Sequence, residues 1–140
     1  MGRIAPSFCN KTWKFEHKVL EPIMDEMNLY WPDVEMRDVP DSLWKHEWEK
    51  HGTCAAQLPE TSNELAYFRK GVELSKENKV TEWLEKGGVV PGEDANYTLE
   101  TVWDSVMNGT GGFRPHIDCR LVDGKAYINE VRLYPSIHQN

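Results

Sequence analysis

The sequence predicts an α+β fold. Three features point to it: apolar residues at helical spacing through most of the chain, a change to alternating period after His116, and turn chemistry at Asp123-Gly124 between two alternating runs. Taken in order, Phe15, Val19, Ile23, Met27 and Tyr30 mark a first helix. Pro22 is placed to break that run or to open a second helix at its first turn, and Trp31-Pro32-Asp33 ends it. The polar stretch from Asp33 to Ser42 reads as a surface loop. A short helix is expected from about Leu43 to His51, stopped by Gly52. After Pro59, Thr61-Ser62-Asn63-Glu64 has the pattern of a capping box, and Leu65, Phe68 and Val72 carry a helix to about Asn78, weakened by Gly71. A shorter helix around Val80 to Lys86 stops at Gly87-Gly88. Leu99, Val102, Trp103 and Val106 then form an amphipathic stripe ended by Asn108-Gly109. Ile117, Cys119 and Leu121 alternate, and beyond the turn Ala126, Ile128, Val131 and Leu133 continue an apolar strand with one irregularity. With no internal repeat and no long linker, residues 1–140 are expected to form one domain.

Composition bounds the function. A chain of 140 residues with 39% hydrophobic content can bury one core. No run approaches the ~20 apolar residues of a spanning helix, so neither a membrane nor a disordered class fits. A net charge of −7 argues against a broad basic face for nucleic acid but leaves room for a narrow site, and protonation of all five histidines cancels five of those seven negative charges. Six tryptophans, Trp13, Trp31, Trp44, Trp48, Trp83 and Trp103, are expected chiefly in the core. Three cysteines, Cys9, Cys54 and Cys119, without a C-x-x-C pair suggest one disulfide and one unpaired thiol. Sequons at Asn10, Asn96 and Asn108 point to glycosylation in an exported, oxidising compartment. Met1-Gly2-Arg3 leads into no apolar signal segment, so the expectation is either a cytosolic chain or a missing N-terminal part.

The densest chemistry lies in Trp44-Lys45-His46-Glu47-Trp48-Glu49-Lys50-His51-Gly52-Thr53-Cys54. At ~100° per residue, His46 and Lys50 share one stripe of a helix and Glu47 and His51 the next, so all four can face a common cleft. Such a set suits a phosphodiester. Lysine and a protonated imidazole stabilise charge on non-bridging oxygens, while an imidazole near neutral pKa moves protons. The bland alternative is a solvated helix face with i,i+4 ion pairs. A zincin needs H-E-x-x-H; here the pattern is H-E-x-x-x-H, which on an α-helix sets the histidines ~140° apart with Lys50 in the ligand position. A Cys54 nucleophile would require a free thiol.

The run from His46 to Cys54, with Phe8-Cys9-Asn10, Tyr30-Trp31-Pro32-Asp33 and Trp44-Lys45 around it, resembles the second active-site segment of the ribonuclease T2 family and its animal members. The resemblance implies an α+β fold with an antiparallel sheet packed against several helices. It also implies an acid-working, metal-independent endoribonuclease that cleaves single-stranded RNA through a 2′,3′-cyclic phosphate. Carried over by position, His51 is the general acid/base, His46 contacts the phosphate, and Glu47 and Lys50 stabilise the phosphorane. Cys9 pairs with Cys54. Trp44 is available to stack a base, and Leu43 occupies a base-pocket position that is often aromatic in the family. The family's first segment, H-G-L-W-P, does not occur in these 140 residues, and His17, His116 and His138 read as surface or structural residues rather than its replacement. The expectation is therefore an N-terminally truncated, impaired ribonuclease: secreted or lysosomal, monomeric, and without cofactor, metal or membrane partner. The rivals are a non-catalytic RNA-binding or secreted interaction protein that keeps the phosphate site and, further off, a metal-dependent hydrolase.

Overall fold

The computed structural model describes residues 5–35 and 37–134. It divides into two compact units, Met1–Glu77 and Asn78–Asn140.

In the first unit the chain enters a 3-10 turn, His17–Ile23, and continues as α1, Met24–Tyr30. Pro22 lies inside the tight turn, and the α-helix proper begins only after it. A prolyl ring clashes with the carbonyl four residues back, so the early part of the run takes the tighter form. At three residues per turn Leu20 and Ile23 share a face, which is why Leu20 is buried where the α-helical period had selected Val19.

The next helical stretch runs without a break over residues 42–55: α2, Ser42–His46; a π segment, Glu47–Gly52; and α3, Thr53–Ala55. The expected stop at Gly52 does not occur. A Cβ on Gly52 would sit 2.2 Å from Cε3 of Trp48, so the glycine makes room for the indole and the helix passes through it.

A 3-10 turn, Pro59–Thr61, leads to α4, Glu64–Glu77. The capping box is replaced by another arrangement. Asn63 Oδ1 accepts the Ala66 N–H at 2.9 Å, the Thr61 hydroxyl donates to the Ala55 carbonyl at 2.7 Å, and the Glu64 carboxylate accepts the Glu16 N–H. Asparagine caps as well as threonine, so the helix starts two residues later than the pattern suggested. Gly71 has a packing reason: the Trp31 ring lies where its Cβ would be. Leu20, Ile23, Met27, Trp44, Trp48, Phe68 and Val72 form the core of this unit, with Phe15, Trp31, Leu43 and Tyr67 packed around it.

The second unit pairs α5, Val80–Lys86, with α6, Leu99–Thr110. Gly87 caps α5 as expected, and the Thr98 hydroxyl caps α6 by accepting the Thr101 N–H at 3.1 Å. Again a glycine read as a stop is not one. α6 continues through Asn108-Gly109, because Gly109 receives the Trp83 ring, and ends at Gly111 with φ 75°. Val102, Ser105 and Val106 are buried, whereas Leu99 is exposed.

β1, His116–Val122, and β2, Lys125–Arg132, form an antiparallel hairpin turned by Asp123 and Gly124, both at positive φ. Its register shifts between Asp118 and Cys119, leaving Asn129 as the extra residue of a bulge, and this is the irregularity seen in the sequence between Ile128 and Val131. Nearly every hairpin side chain is exposed, so the alternation exists without a buried face.

Candidate active site

The site is made by a backbone irregularity. On a regular α-helix His46 and His51 would lie ~140° apart, on neighbouring stripes. In the π segment the ladder reaches one residue further, and the Thr53 N–H finds the Trp48 carbonyl five positions back. The wider turn brings residue i+5 closer to the face of residue i than an α-helix does. The two imidazole centroids are 5.8 Å apart with their planes at 70°, and the donor atoms of His46, Glu47 and His51 all lie within 4.8 Å of one another. Lys50, half-buried in the same turn, adds a cation.

The carbonyls loosened by this geometry are satisfied from outside the ladder: the Thr53 hydroxyl donates to Glu49 O at 3.0 Å and the Phe8 N–H to Lys50 O at 2.8 Å. The Cys9–Cys54 disulfide, present as the resemblance implied, fastens the same N-terminal segment to the end of the stretch.

The two glutamates separate. Glu47 stays with the histidines. Glu49 faces Lys14 at 4.0 Å and the Phe15 N–H at 3.4 Å. Behind Glu47, Tyr67 of α4 is wedged against Trp31 and Trp48 at ring distances of 6.0 and 5.8 Å. Burial first, and the Glu47 carboxylate second, push its hydroxyl well above the usual tyrosine range, so it remains a neutral phenol. Among the described residues the side chains of His46, Glu47, Lys50 and His51 make no ion pair and no hydrogen bond, which leaves their donors and acceptors available to a ligand. Two imidazoles and a carboxylate also make a donor set for a divalent ion, with Lys50 as the opposing charge.

The expected base-stacking residue needs correction. Trp44 is only 8% exposed and spends its indole N–H on the Trp31 carbonyl at 2.8 Å, and Leu43 packs against the core. The exposed aromatics beside the helix are Phe8 and Trp13, the latter stacked on Trp48 with centroids 6.1 Å apart. The sequence reading passed over both for this role; their only signal is that they flank Cys9. His17 pairs with Asp41 at 2.7 Å, and His116 is exposed at the head of β1; His138 lies outside the described residues. Asn96 and Asn108 are exposed, the Asn10 carboxamide oxygen accepts both the N–H and the hydroxyl of Thr12, and Cys119 is free and exposed.

Fold and site together define a class: α+β proteins in which one irregular helix gathers two imidazoles, a carboxylate and a lysine. Residues 1–140 match the model of the Ribonuclease T2 family, and the chain belongs to that family. It is 37% identical over 107 residues to Ribonuclease Oy of Magallana gigas, covering 76% of this chain and 50% of that protein. With human Ribonuclease T2 the identity is 36% over 113 residues, covering 79% and 43%. The crystal structure of human RNase T2 superposes with a TM-score of 0.73 at 35% identity, covering 81% of this chain and 58% of that one. RNase NT in complex with 5′-AMP gives 0.76 at 27% identity, covering 88% and 59%. The chain thus spans about half the length of the curated relatives it matches.

Proposed function

We propose that this chain carries the phosphate-handling side chains of an endoribonuclease that cleaves single-stranded RNA by transesterification, without a metal. One observation carries the reading: the π turn gathers His46, Glu47 and His51 around one point beside Lys50. RNA supplies its own nucleophile. As the 2′-oxygen bonds to phosphorus and the bond to the 5′-oxygen breaks, one proton leaves the 2′-hydroxyl and another reaches the departing oxygen. The product is a 2′,3′-cyclic phosphate. His51 moves one of these protons and solvent water the other, His46 holds the non-bridging oxygens, and Lys50 and Glu47 stabilise the phosphorane. The 5′-AMP held by RNase NT supports a nucleotide ligand for this fold. A monomer in a secreted or lysosomal compartment, glycosylated at Asn10, Asn96 and Asn108, fits the Cys9–Cys54 disulfide and the three sequons.

The test is cleavage of single-stranded RNA by the purified chain at mildly acidic pH with EDTA. Cyclic phosphate ends are expected, reduced about 10²- to 10⁴-fold by His51→Ala without loss of folding. Loss of cleavage on chelation would transfer the site to metal chemistry, and RNA binding without cyclic phosphate would leave only a binding protein.

A further inference from the structure

We infer that Phe8 is a nucleobase-stacking residue of this site, a role that rests on the ribonuclease reading above. Among the described residues three other than glycine adopt positive φ: Phe8 at 51°, Asp41 at 60° and Asp123 at 50°. The two aspartates are unexceptional. Asp123 turns the hairpin and Asp41 precedes α2, and a short polar side chain tolerates this region. A bulky aromatic does not, and glycine would take the same backbone without penalty.

Folding does not account for the choice. The strained backbone is held by main-chain and covalent ties: the Phe8 N–H on the Lys50 carbonyl at 2.8 Å, and the disulfide at the next residue. The ring itself is 47% exposed and joins neither the core nor any aromatic pair. Strain without a packing return, next to a functional turn, marks a residue kept for a ligand. The ligand is given by position. Phe8 is tied to Lys50, one residue from His51, and the group adjoining a bound RNA phosphate is a base with a free π face. Trp44, the aromatic that the sequence offered for stacking, is buried with its N–H engaged. Stacking on a bare ring tolerates any base, so Phe8 adds affinity more than base preference.

The experiment measures binding of an uncleavable 2′-O-methyl trinucleotide and of inorganic phosphate to the intact chain at mildly acidic pH. Phe8→Gly is expected to weaken the trinucleotide about tenfold or more, leave phosphate unchanged, and not lower the melting temperature. Phe8→Tyr is expected to keep the affinity. Unaltered trinucleotide binding by Phe8→Gly overturns the proposal. An equal loss of both ligands also overturns it, by showing that Phe8 only shapes the loop. His46→Ala separates the two claims. If it leaves phosphate and trinucleotide affinity intact, the phosphate-site reading fails and the stacking role fails with it; if it weakens both while Phe8→Gly changes nothing, stacking alone fails.

Discussion

Both units seat an indole on a helix glycine, and the consequences differ. In the first, Trp48 lies over Gly52 within one helical stretch, at the turn where the backbone widens into the π form. In the second, Trp83 of α5 lies over Gly109 of α6 and lets two helices approach. Trp48 sinks to 3% exposure among Phe68, Trp44 and Met27, whereas the buried side chains of the second unit, among the described residues, are valines, a serine and a proline. The first glycine governs which side chains share a face; the second governs only how near two helices come. The same local device shapes a candidate site or only a helix contact according to what sits one turn away.

Removing the Cys9–Cys54 bond is the harshest way to test that contrast. It closes a loop with a sequence separation of 45, for which chain entropy alone predicts a loss of about 4 kcal/mol. Replacing both cysteines by serine is expected to lower the melting temperature by more than ~10 °C. Amide exchange should accelerate over residues 42–55 and in α4, with α6 little changed. Equal acceleration in α6 would erase the distinction between the two units.

Paired glycine substitutions sharpen it. A Cβ would fall 2.2 Å from the Trp48 ring at Gly52 and 2.1 Å from the Trp83 ring at Gly109, so alanine at either is expected to cost about 1–3 kcal/mol. Only Gly52→Ala should also abolish the proposed RNA cleavage, because it disturbs the turn that aligns the histidines. If Gly109→Ala depresses cleavage as strongly, the comparison fails.

The smallest effect concerns pH. Glu64 is the one charged side chain buried among the described residues, and burial lifts its carboxyl from 4.5 to about 7 against the partly opposing pull of the Glu16 amide. The folded chain therefore keeps this proton across a range in which the unfolded chain has released it. Stability present below pH 4.5 is lost as pH rises towards 7, by an amount on the order of 1 kcal/mol. Glu64→Gln is expected to flatten that decline in melts recorded from pH 4.5 to 7.5. An undiminished decline would place its origin elsewhere.

Periodicity made the helices and the hairpin legible, down to the bulge that the break between Ile128 and Val131 announced. It failed where one residue type has two uses. Gly52 and Gly109 carry the local signature of a helix stop, and only the ring that each receives distinguishes packing from termination. Thr61 and Asn63 are both competent caps, and choosing between them requires knowing that the Ala55 carbonyl takes the threonine hydroxyl. At the site, residue types were readable because two imidazoles, a carboxylate and a lysine in six positions are chemically distinctive. That they could face one cleft was readable too, but the π turn was not, since ~100° per residue is an α-helical assumption that it breaks. Trp44 is buried and Phe8 exposed for a related reason: exposure depends on contacts remote in sequence, such as that of Trp44 with the Trp31 carbonyl.

The wide turn also sets an evolutionary distance. A π segment amounts to one residue inserted into an α-helix. Deleting the codon for Lys50 would return the helix to a regular ladder and leave His-Glu-Trp-Glu-His, with two imidazoles one turn apart, a glutamate beside the first and no cation between them. That spacing is the one that holds zinc. One lysine therefore separates this segment from the zinc-holding spacing, and its charge opposes a cation between the two imidazoles.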